Sequence, residues 1–553
     1  MIGPAQHAPH AAAGPPSRRE LLAVAALAAG AGGLALLISW SVLGLVPHVT
    51  DAISYLFQGR ILASGRLWEP PPAVPALFAH ENVILTPTRW CSLYPPGWPL
   101  LLALGWRLHA PWLMSPLLLA LAVAGTWLAG RRLYDPATGM LAAAALACSP
   151  FALLMAADAM AHVPALCATV WCLALIAGVM GGGAESAGHL PAAAHSPQLL
   201  SPEGVATAGA VRRALLAIGL LGGFAVLIRP GTAVALLAPA VAWYAIEAGR
   251  RRGLAGLAGL AWMALGAAPC LAAMAAYDAA VFGGPLASGY AVYEPARFAQ
   301  AAGGALVSWS VALRHNLPWY LGQLNRSLWG FPWGDLLLFA PLLLARPRRA
   351  ADGVLAACAA SLVLAHSFYY YGDVIYSGPR LVFESLGPLS LLAGRSLRTL
   401  AGWLDGGLGR LRRVTPETRR ALRLAAAGAA GCLLLYVPLG RRLPQQMLHH
   451  AQWYLAVSPE PLRAAASAGV GPDALVFVAG TPWCYSGFFL ANDPRPEQGR
   501  RVYVRDIPPL RAAALAAYPR REVWVARVEV VIPHPRSDPD VAKPTALSWM
   551  RLR

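Results

Sequence analysis

Six side chains carry the chemistry this sequence can offer: Asp51, Asp158, His162, Arg229, Arg380 and Glu384. Each lies at the end of an apolar run, where an ionisable group is expensive to keep and is therefore a functional candidate. Asp51 closes Pro47-His48-Val49-Thr50-Asp51 after the first run. Asp158 and His162 fall between the third and fourth, and Arg229-Pro230 interrupts a long one. Arg380 and Glu384 open the tenth, in Gly378-Pro379-Arg380-Leu381-Val382-Phe383-Glu384. A carboxylate able to act as a base, beside arginines able to hold a phosphate, is the equipment for group transfer from a phosphorylated donor. Each residue also has a purely structural explanation. Asp51 could cap a helix over 52–65. Asp158 with His162, and Arg380 with Glu384, are four apart and could pair along a helix, and Arg229 could reach for lipid headgroups. Their shared position on one face favours the chemical reading.

The elements that position them are membrane-spanning. Of 553 residues, 57% are hydrophobic and 13% charged, with a mean hydropathy of +0.51. Soluble domains carry about 25% charged residues. Apolar stretches at 21–45, 112–130, 137–153, 160–180, 214–229, 231–248, 254–277, 331–345, 353–368, 381–394 and 422–438 predict an all-α polytopic membrane protein of about eleven spans. The formal charge of +18 is almost wholly arginine, Lys543 being the sole lysine. It falls in clusters between spans: Arg18/Arg19, Arg131/Arg132, Arg212/Arg213, Arg250–Arg252, Arg346/Arg348/Arg349, and eight arginines from Arg395 to Arg423. Eleven spans put all six on one side, the cytoplasm by the positive-inside rule. That pattern is topology rather than nucleic-acid binding.

The chain then divides into a cytoplasmic tail (1–20), a membrane domain (21–438) with a first outer loop (46–95), and a small extracytoplasmic α/β domain (439–553). Strands are expected at 474–479, 501–505 and 522–531, with a helix at 508–518. The 181–210 segment reads as a flexible cytoplasmic loop, and Tyr369–Tyr371 with the many tryptophans as an interfacial belt. No internal repeat is visible. Six of the eight cysteines lie in or beside apolar runs; Cys91 and Cys484 fall in polar outer stretches, where an oxidising compartment would let them pair.

Two motifs add a resemblance. Asp51-x-x-x-Tyr55-x-x-Gln58-x-Arg60-Ile61-Leu62-Ala63-x-Gly65-Arg66-Leu67 and Tyr94-Pro95-Pro96-Gly97-Trp98-Pro99-Leu100-Leu101-Leu102 resemble the integral-membrane GT-C glycosyltransferases. The branch in question is the bacterial one similar to protein O-mannosyltransferases and lipid A aminoarabinose transferases. Arg131-Arg132-Leu133-Tyr134 and the Gly378–Glu384 segment with Pro388 fit the same branch. The resemblance implies a polyprenyl-phosphate-linked sugar donor, a glycan, lipid or protein acceptor, and transfer on the outer face of the bacterial inner membrane. It makes Asp51 the catalytic carboxylate, Arg229 and Arg380 phosphate ligands, and Tyr55, Arg60, Tyr94, Asp158, His162 and Glu384 further site candidates. Ala52 follows Asp51 where many relatives have a second acid. No cofactor is therefore certain; a divalent metal would need a second carboxylate, such as Asp158. A transporter or flippase of a lipid-linked or small polar substrate is the competing class, and would show an inverted or parallel repeat and broken helices with charge near the midplane.

Overall fold

The computed structural model describes residues 14–187, 202–295, 306–345, 348–369, 377–410, 415–451, 457–531 and 543–553. The expected 181–210 loop is helical up to Ala187 and again from Pro202. The stretch between, with Arg346, Tyr370, Tyr371, Arg412 and Arg413, lies outside the described residues.

Local signals set the helix boundaries. α1 (Arg18–Ser41) starts where the Ser17 hydroxyl accepts from the Glu20 N–H. α2 (Thr50–Ala63) and α3 (Gly97–Arg107) flank the first loop, and α4 (Met114–Leu133) re-enters the bundle. α5 (Pro136–Ala147) and α6 (Pro150–Ala157) form one span bent by 55°. Pro150 cannot donate into the preceding turn, and Ser149 caps the new helix instead. α7 (His162–Ala187) and α8 (Pro202–Ile228) follow, and α9 (Pro230–Arg252) begins on Pro230 immediately after Arg229. α10 (Leu254–Phe282) completes the central group.

Among the described residues, eight helices are long and apolar enough to cross a membrane, nine with the bent pair. The chain is a multi-pass membrane protein. Two of the eleven expected stretches differ in form. The 331–345 run is a short apolar helix over Asp335–Leu344. The 381–394 run opens as a 3-10 helix at Arg380–Ser385 and continues as a helix over Leu386–Arg410, which carries Arg395, Arg398 and Asp405.

The described members of the arginine clusters gather at one end of the bundle. Arg131 pairs with Glu20 at 3.0 Å, the Tyr134 hydroxyl donates to Asp352 at 2.7 Å, and Arg398 approaches Asp135 at 3.9 Å. Arg251 donates to the Met180 carbonyl at 3.2 Å. If that end is cytoplasmic, as the positive-inside rule requires, reporters fused at Ala350 and at Arg553 will report opposite sides. Both on one side would contradict this topology.

The helix over 416–448 runs through the expected domain boundary at 439, and the tail folds as a separate sheet beyond it. β3 (Ala474–Ala479), β4 (Val502–Arg505), β5 (Glu522–Val531) and β6 (Lys543–Arg551) are ordered β4-β3-β5-β6. β3 is parallel to both β4 and β5, and β6 is antiparallel to β5. In the first loop, β1 (Val83–Leu85) and β2 (Trp90–Ser92) form an antiparallel hairpin.

α2 is the keystone between these parts. Ala52, Tyr55 and Leu56 join the core of the helical bundle, while Ile53, Phe57 and Ile61, at i, i+4 and i+8, join the core shared with the C-terminal sheet. A third stripe, Thr50, Ser54 and Gln58, is bonded to the first loop. Asn82 Nδ2 donates to Thr50 at 3.2 Å, Ser54 donates to the Asn82 carbonyl at 2.6 Å, and Gln58 Oε1 accepts from the Ser92 N–H at 2.9 Å. A helix held on three faces fixes the residue at its start, and that residue is Asp51.

Candidate active site

At the end of the bundle opposite the arginine clusters, Asp51 is buried on the first turn of α2. The helix has Val49 at its N-cap and no side-chain capping bond, so Asp51 is not its cap. Its two oxygens are engaged elsewhere: Oδ1 accepts from the Tyr94 hydroxyl at 2.5 Å, and Oδ2 accepts from Arg380 Nη1 at 2.9 Å. Burial alone would raise this carboxyl. The Arg380 guanidinium, with the hydrogen bonds from Tyr94 and Arg380, outweighs burial and holds it below the usual carboxylate range. Asp51 is therefore ionised at neutral pH.

The expected i, i+4 pairs do not form; the partners are crossed. Glu384 pairs with Arg229 at 3.0 Å rather than with Arg380. Arg380–Ser385 is a 3-10 helix with a non-helical break at Val382, and at three residues per turn position i+4 points away from i. Arg229 stays inside the protein, its side chain 15% exposed, instead of reaching for headgroups. Asp158 and His162 are likewise separated by a turn in which Ala159 sits at φ 54°. That left-handed conformation strains a residue with a Cβ. Trp98 holds the turn by donating its indole N–H to the Ala159 carbonyl at 2.9 Å. Asp158 accepts from the His48 N–H at 2.6 Å, and the buried His162 ring stacks edge-on to Phe383 at 6.2 Å.

The proline-rich motif also places Arg229. A Cβ on Gly97 would stand 2.7 Å from the Leu227 carbonyl, so only glycine lets this loop touch the end of α8 beside Arg229. Gly378, at φ 146°, is packed on Phe151 and Ser327 and turns the chain into Arg380.

Tyr94 and Tyr55 flank the carboxylate, their rings 4.4 Å apart, with Tyr290 5.8 Å from Tyr94. Asp51, Tyr55, Tyr94, Asp158, His162, Arg229, Arg380 and Glu384 thus cluster at one end. Arg60 does not. It lies nine residues along α2 from Asp51, about 14 Å at 1.5 Å per residue, and pairs with Asp493 at 3.0 Å, docking the C-terminal sheet. Nor do Cys91 and Cys484 pair: both are free thiols. Neighbours on a strand face opposite ways, so Trp90 enters the core shared with the C-terminal sheet, where Cys484 lies, while Cys91 turns into the helical core. Residues without a strong sequence signal also reach the site. Tyr290 arrives from a five-residue helix, and His450 brings the end of Leu443–Ala451 to 5.6 Å from His48.

Asp158 differs from Asp51. Burial pushes its carboxyl up to about 8, so it is mostly neutral at pH 7. A folded-state value raised above the ordinary value of about 4 means the unfolded chain loses this proton first. Asp158 therefore costs stability progressively as pH rises from about 4 to about 8. Asp158→Asn, neutral throughout, is expected to retain thermal stability near pH 7 and to lose less than wild type between pH 6 and 8 in a Tm-against-pH series (roughly the window set by those two values). An unchanged slope would show that Asp158 does not titrate there.

No family model and no curated protein matches the chain. Among solved structures, the crystal structure of ArnT from Cupriavidus metallidurans bound to undecaprenyl phosphate matches at 15% identity. It covers 94% of this chain and 96% of that one, with a TM-score of 0.50. Together with the bundle just described, that decides the fold. This chain has the GT-C fold. The apo form of the same ArnT gives a TM-score of 0.49 at 14% identity, covering 96% and 97% of the two chains. The oligosaccharyltransferase AglB from Archaeoglobus fulgidus is also similar (12% identity, 92% of this chain and 69% of that one, TM-score 0.44).

Proposed function

We propose that this GT-C chain is a glycosyltransferase of the bacterial inner membrane. It moves a sugar from a polyprenyl-phosphate donor to an acceptor hydroxyl at the extracytoplasmic face. The observation that carries the reading is the ionised Asp51 carboxylate, held between Tyr94 and Arg380, with a second buried arginine, Arg229, nearby. It is supported by a fold shared with a protein solved with undecaprenyl phosphate.

The acceptor oxygen attacks the anomeric carbon, the bond from that carbon to the phosphate oxygen breaks, and the acceptor proton passes to Asp51. The polyprenyl phosphate leaves with its added charge facing Arg380 and Arg229. In the resting site each arginine is matched by a carboxylate, Arg380 by Asp51 and Arg229 by Glu384. A bound donor phosphate competes for those guanidiniums. As Arg380 turns to the phosphate, Asp51 loses the charge that depresses it, burial dominates, and the carboxylate becomes a stronger base. Tyr55 and Tyr94 flank Asp51, and the mostly neutral Asp158 fills the site without adding charge, beside the buried His162 ring.

The donor set does not fit a divalent cation. Asp51 offers at most the one oxygen that Arg380 releases, and the neighbouring Asp158 carboxyl is mostly neutral, too few oxygens for a divalent cation. Among the described residues no group of three or more His, Cys, Asp or Glu forms a metal-ligand cluster. No step is routed through a metal, and transfer is expected to survive excess EDTA. Loss of activity restored by Mg²⁺ or Mn²⁺ would contradict this. The function itself is tested by deleting the gene and profiling lipids. A polyprenyl-phosphate sugar accumulates if the reading holds, and an unchanged profile opposes it.

A further inference from the structure

Where the first loop meets the C-terminal sheet, a cleft of about 220 Å³ opens between His80, Glu81, Tyr293, Trp483, Ser486 and Arg505. This is below the ~300–1,000 Å³ of drug-sized sites and close to the size of a sugar ring. Its position in the sheet is not accidental. β3 runs to β4 on one side, and β4 then crosses back past β3 to β5 on the other, all three parallel. Right-handed crossovers in opposite directions place the connecting helices, Tyr485–Ala491 and Arg511–Ala517, on opposite faces. The cleft opens at the carboxyl ends of β3 and β4, the end of a parallel sheet at which ligands bind. Trp483 and Ser486 follow the end of β3, and Arg505 is the last residue of β4.

The lining has the chemistry of saccharide recognition. Trp483 and Tyr293 are each 37% exposed and offer aromatic faces for the apolar C–H side of a pyranose. Glu81 accepts from the Trp483 indole N–H at 3.1 Å through Oε1, which leaves Oε2 for a hydroxyl. Arg505 supplies a planar fork of donors suited to vicinal hydroxyls. Tyr293 accepts from the Asn82 N–H at 3.1 Å, and its own hydroxyl proton is free to be donated. The stacking of His80 on Phe489 at 4.5 Å fixes the wall.

The cleft is also wired to Asp51. Asn82, adjacent to Glu81, donates to Thr50, the residue before Asp51. The short helix Gly289–Tyr293 carries Tyr290 toward Tyr94 and Tyr293 into the cleft. It fits only because residue 289 has no Cβ, which would stand 2.0 Å from the Leu93 carbonyl. We propose that this cleft binds a sugar unit of the acceptor, so that the acceptor is a glycan or glycolipid. The acceptor role rests on the transferase reading above; saccharide binding itself does not.

The test is saturation-transfer NMR on the purified full-length protein with methyl glycosides of mannose, galactose and N-acetylglucosamine. At least one is expected to receive saturation from wild type and from Asp51→Asn alike. Trp483→Ala should abolish the signal, Arg505→Lys should weaken binding by more than about tenfold, and Trp483→Phe, which keeps an aromatic face, should retain it. No transfer to any of the three, or binding that survives Trp483→Ala, overturns the proposal. In a transfer assay Trp483→Ala should raise the acceptor KM with kcat and donor KM little changed; a raised donor KM instead would assign the cleft to the donor. Sugar binding alongside a fully active Asp51→Asn would sink the transferase mechanism and leave the cleft standing. Transfer without cleft binding would do the reverse.

Discussion

Asp51→Asn is expected to lower transfer by about 10²–10⁴-fold, the usual worth of a positioned general base, with the protein still folded. The carboxamide keeps an oxygen for either Tyr94 or Arg380 but cannot take the acceptor proton. Removing the charge also takes away the carboxylate that competes with the donor phosphate for Arg380, so donor phosphate binding should hold or tighten while kcat falls. That split between kcat and donor KM is what a merely structural Asp51 would not produce. Near-wild-type turnover in Asp51→Asn would remove Asp51 from the chemistry.

The second large effect concerns the buried Arg229–Glu384 pair, in which Glu384 has no exposed surface. Taking away one partner strands a charge in the protein interior, which typically costs about 3–5 kcal/mol. Arg229→Ala is therefore expected to lower thermal stability sharply and to abolish transfer. The double change Arg229→Met with Glu384→Leu removes both charges at similar volume, and such replacements are often neutral or stabilising. It should recover most of the stability and none of the activity. Recovery of both would mean the pair is structural and Arg229 does not serve the phosphate; recovery of neither would point to a different role for Glu384.

Much of this was readable before any fold was known, because hydropathy and charge clustering are local properties. Nine of the eleven apolar runs appear as full-length or bent spans, 381–394 opens as a 3-10 helix before its α-helix, and 331–345 is a short helix; the described arginines of the inter-span clusters collect at one end. The three expected tail strands fall within a residue of expectation, since the short runs rich in Val, Phe and Trp at 474–479 and 522–531 are local signals that need no tertiary context. Asp51 and Arg380 stood out because ionisable groups beside apolar runs are costly. What could not be read was the pairing. Spacing of four suggested Arg380 with Glu384 and Asp158 with His162, and both suggestions presumed α-helical backbone. A 3-10 turn at 380–385 and a left-handed Ala159 redirect the side chains, so residues 329 apart in sequence meet at Asp51. Arg60 looked like part of the site because it shares a motif with Asp51, yet motif residues nine apart on one helix sit at opposite ends of it. The Cys91–Cys484 pairing failed on strand alternation, which polarity alone does not reveal. The saccharide cleft was invisible for a further reason. Its walls come from the first loop, a five-residue helix near 290 and the ends of two tail strands, none remarkable alone.

The central claim is bond cleavage at the anomeric carbon. The most direct measurement reconstitutes the purified protein in vesicles with the host's polyprenyl-phosphate sugar pool and an envelope extract as acceptor, and follows the lipid by mass spectrometry. The account predicts conversion of the donor to free polyprenyl phosphate by wild type, with the sugar mass gained by the acceptor, and conversion slowed by about 10²–10⁴-fold in Asp51→Asn. Donor that stays intact while changing leaflet would contradict it and identify a flippase instead.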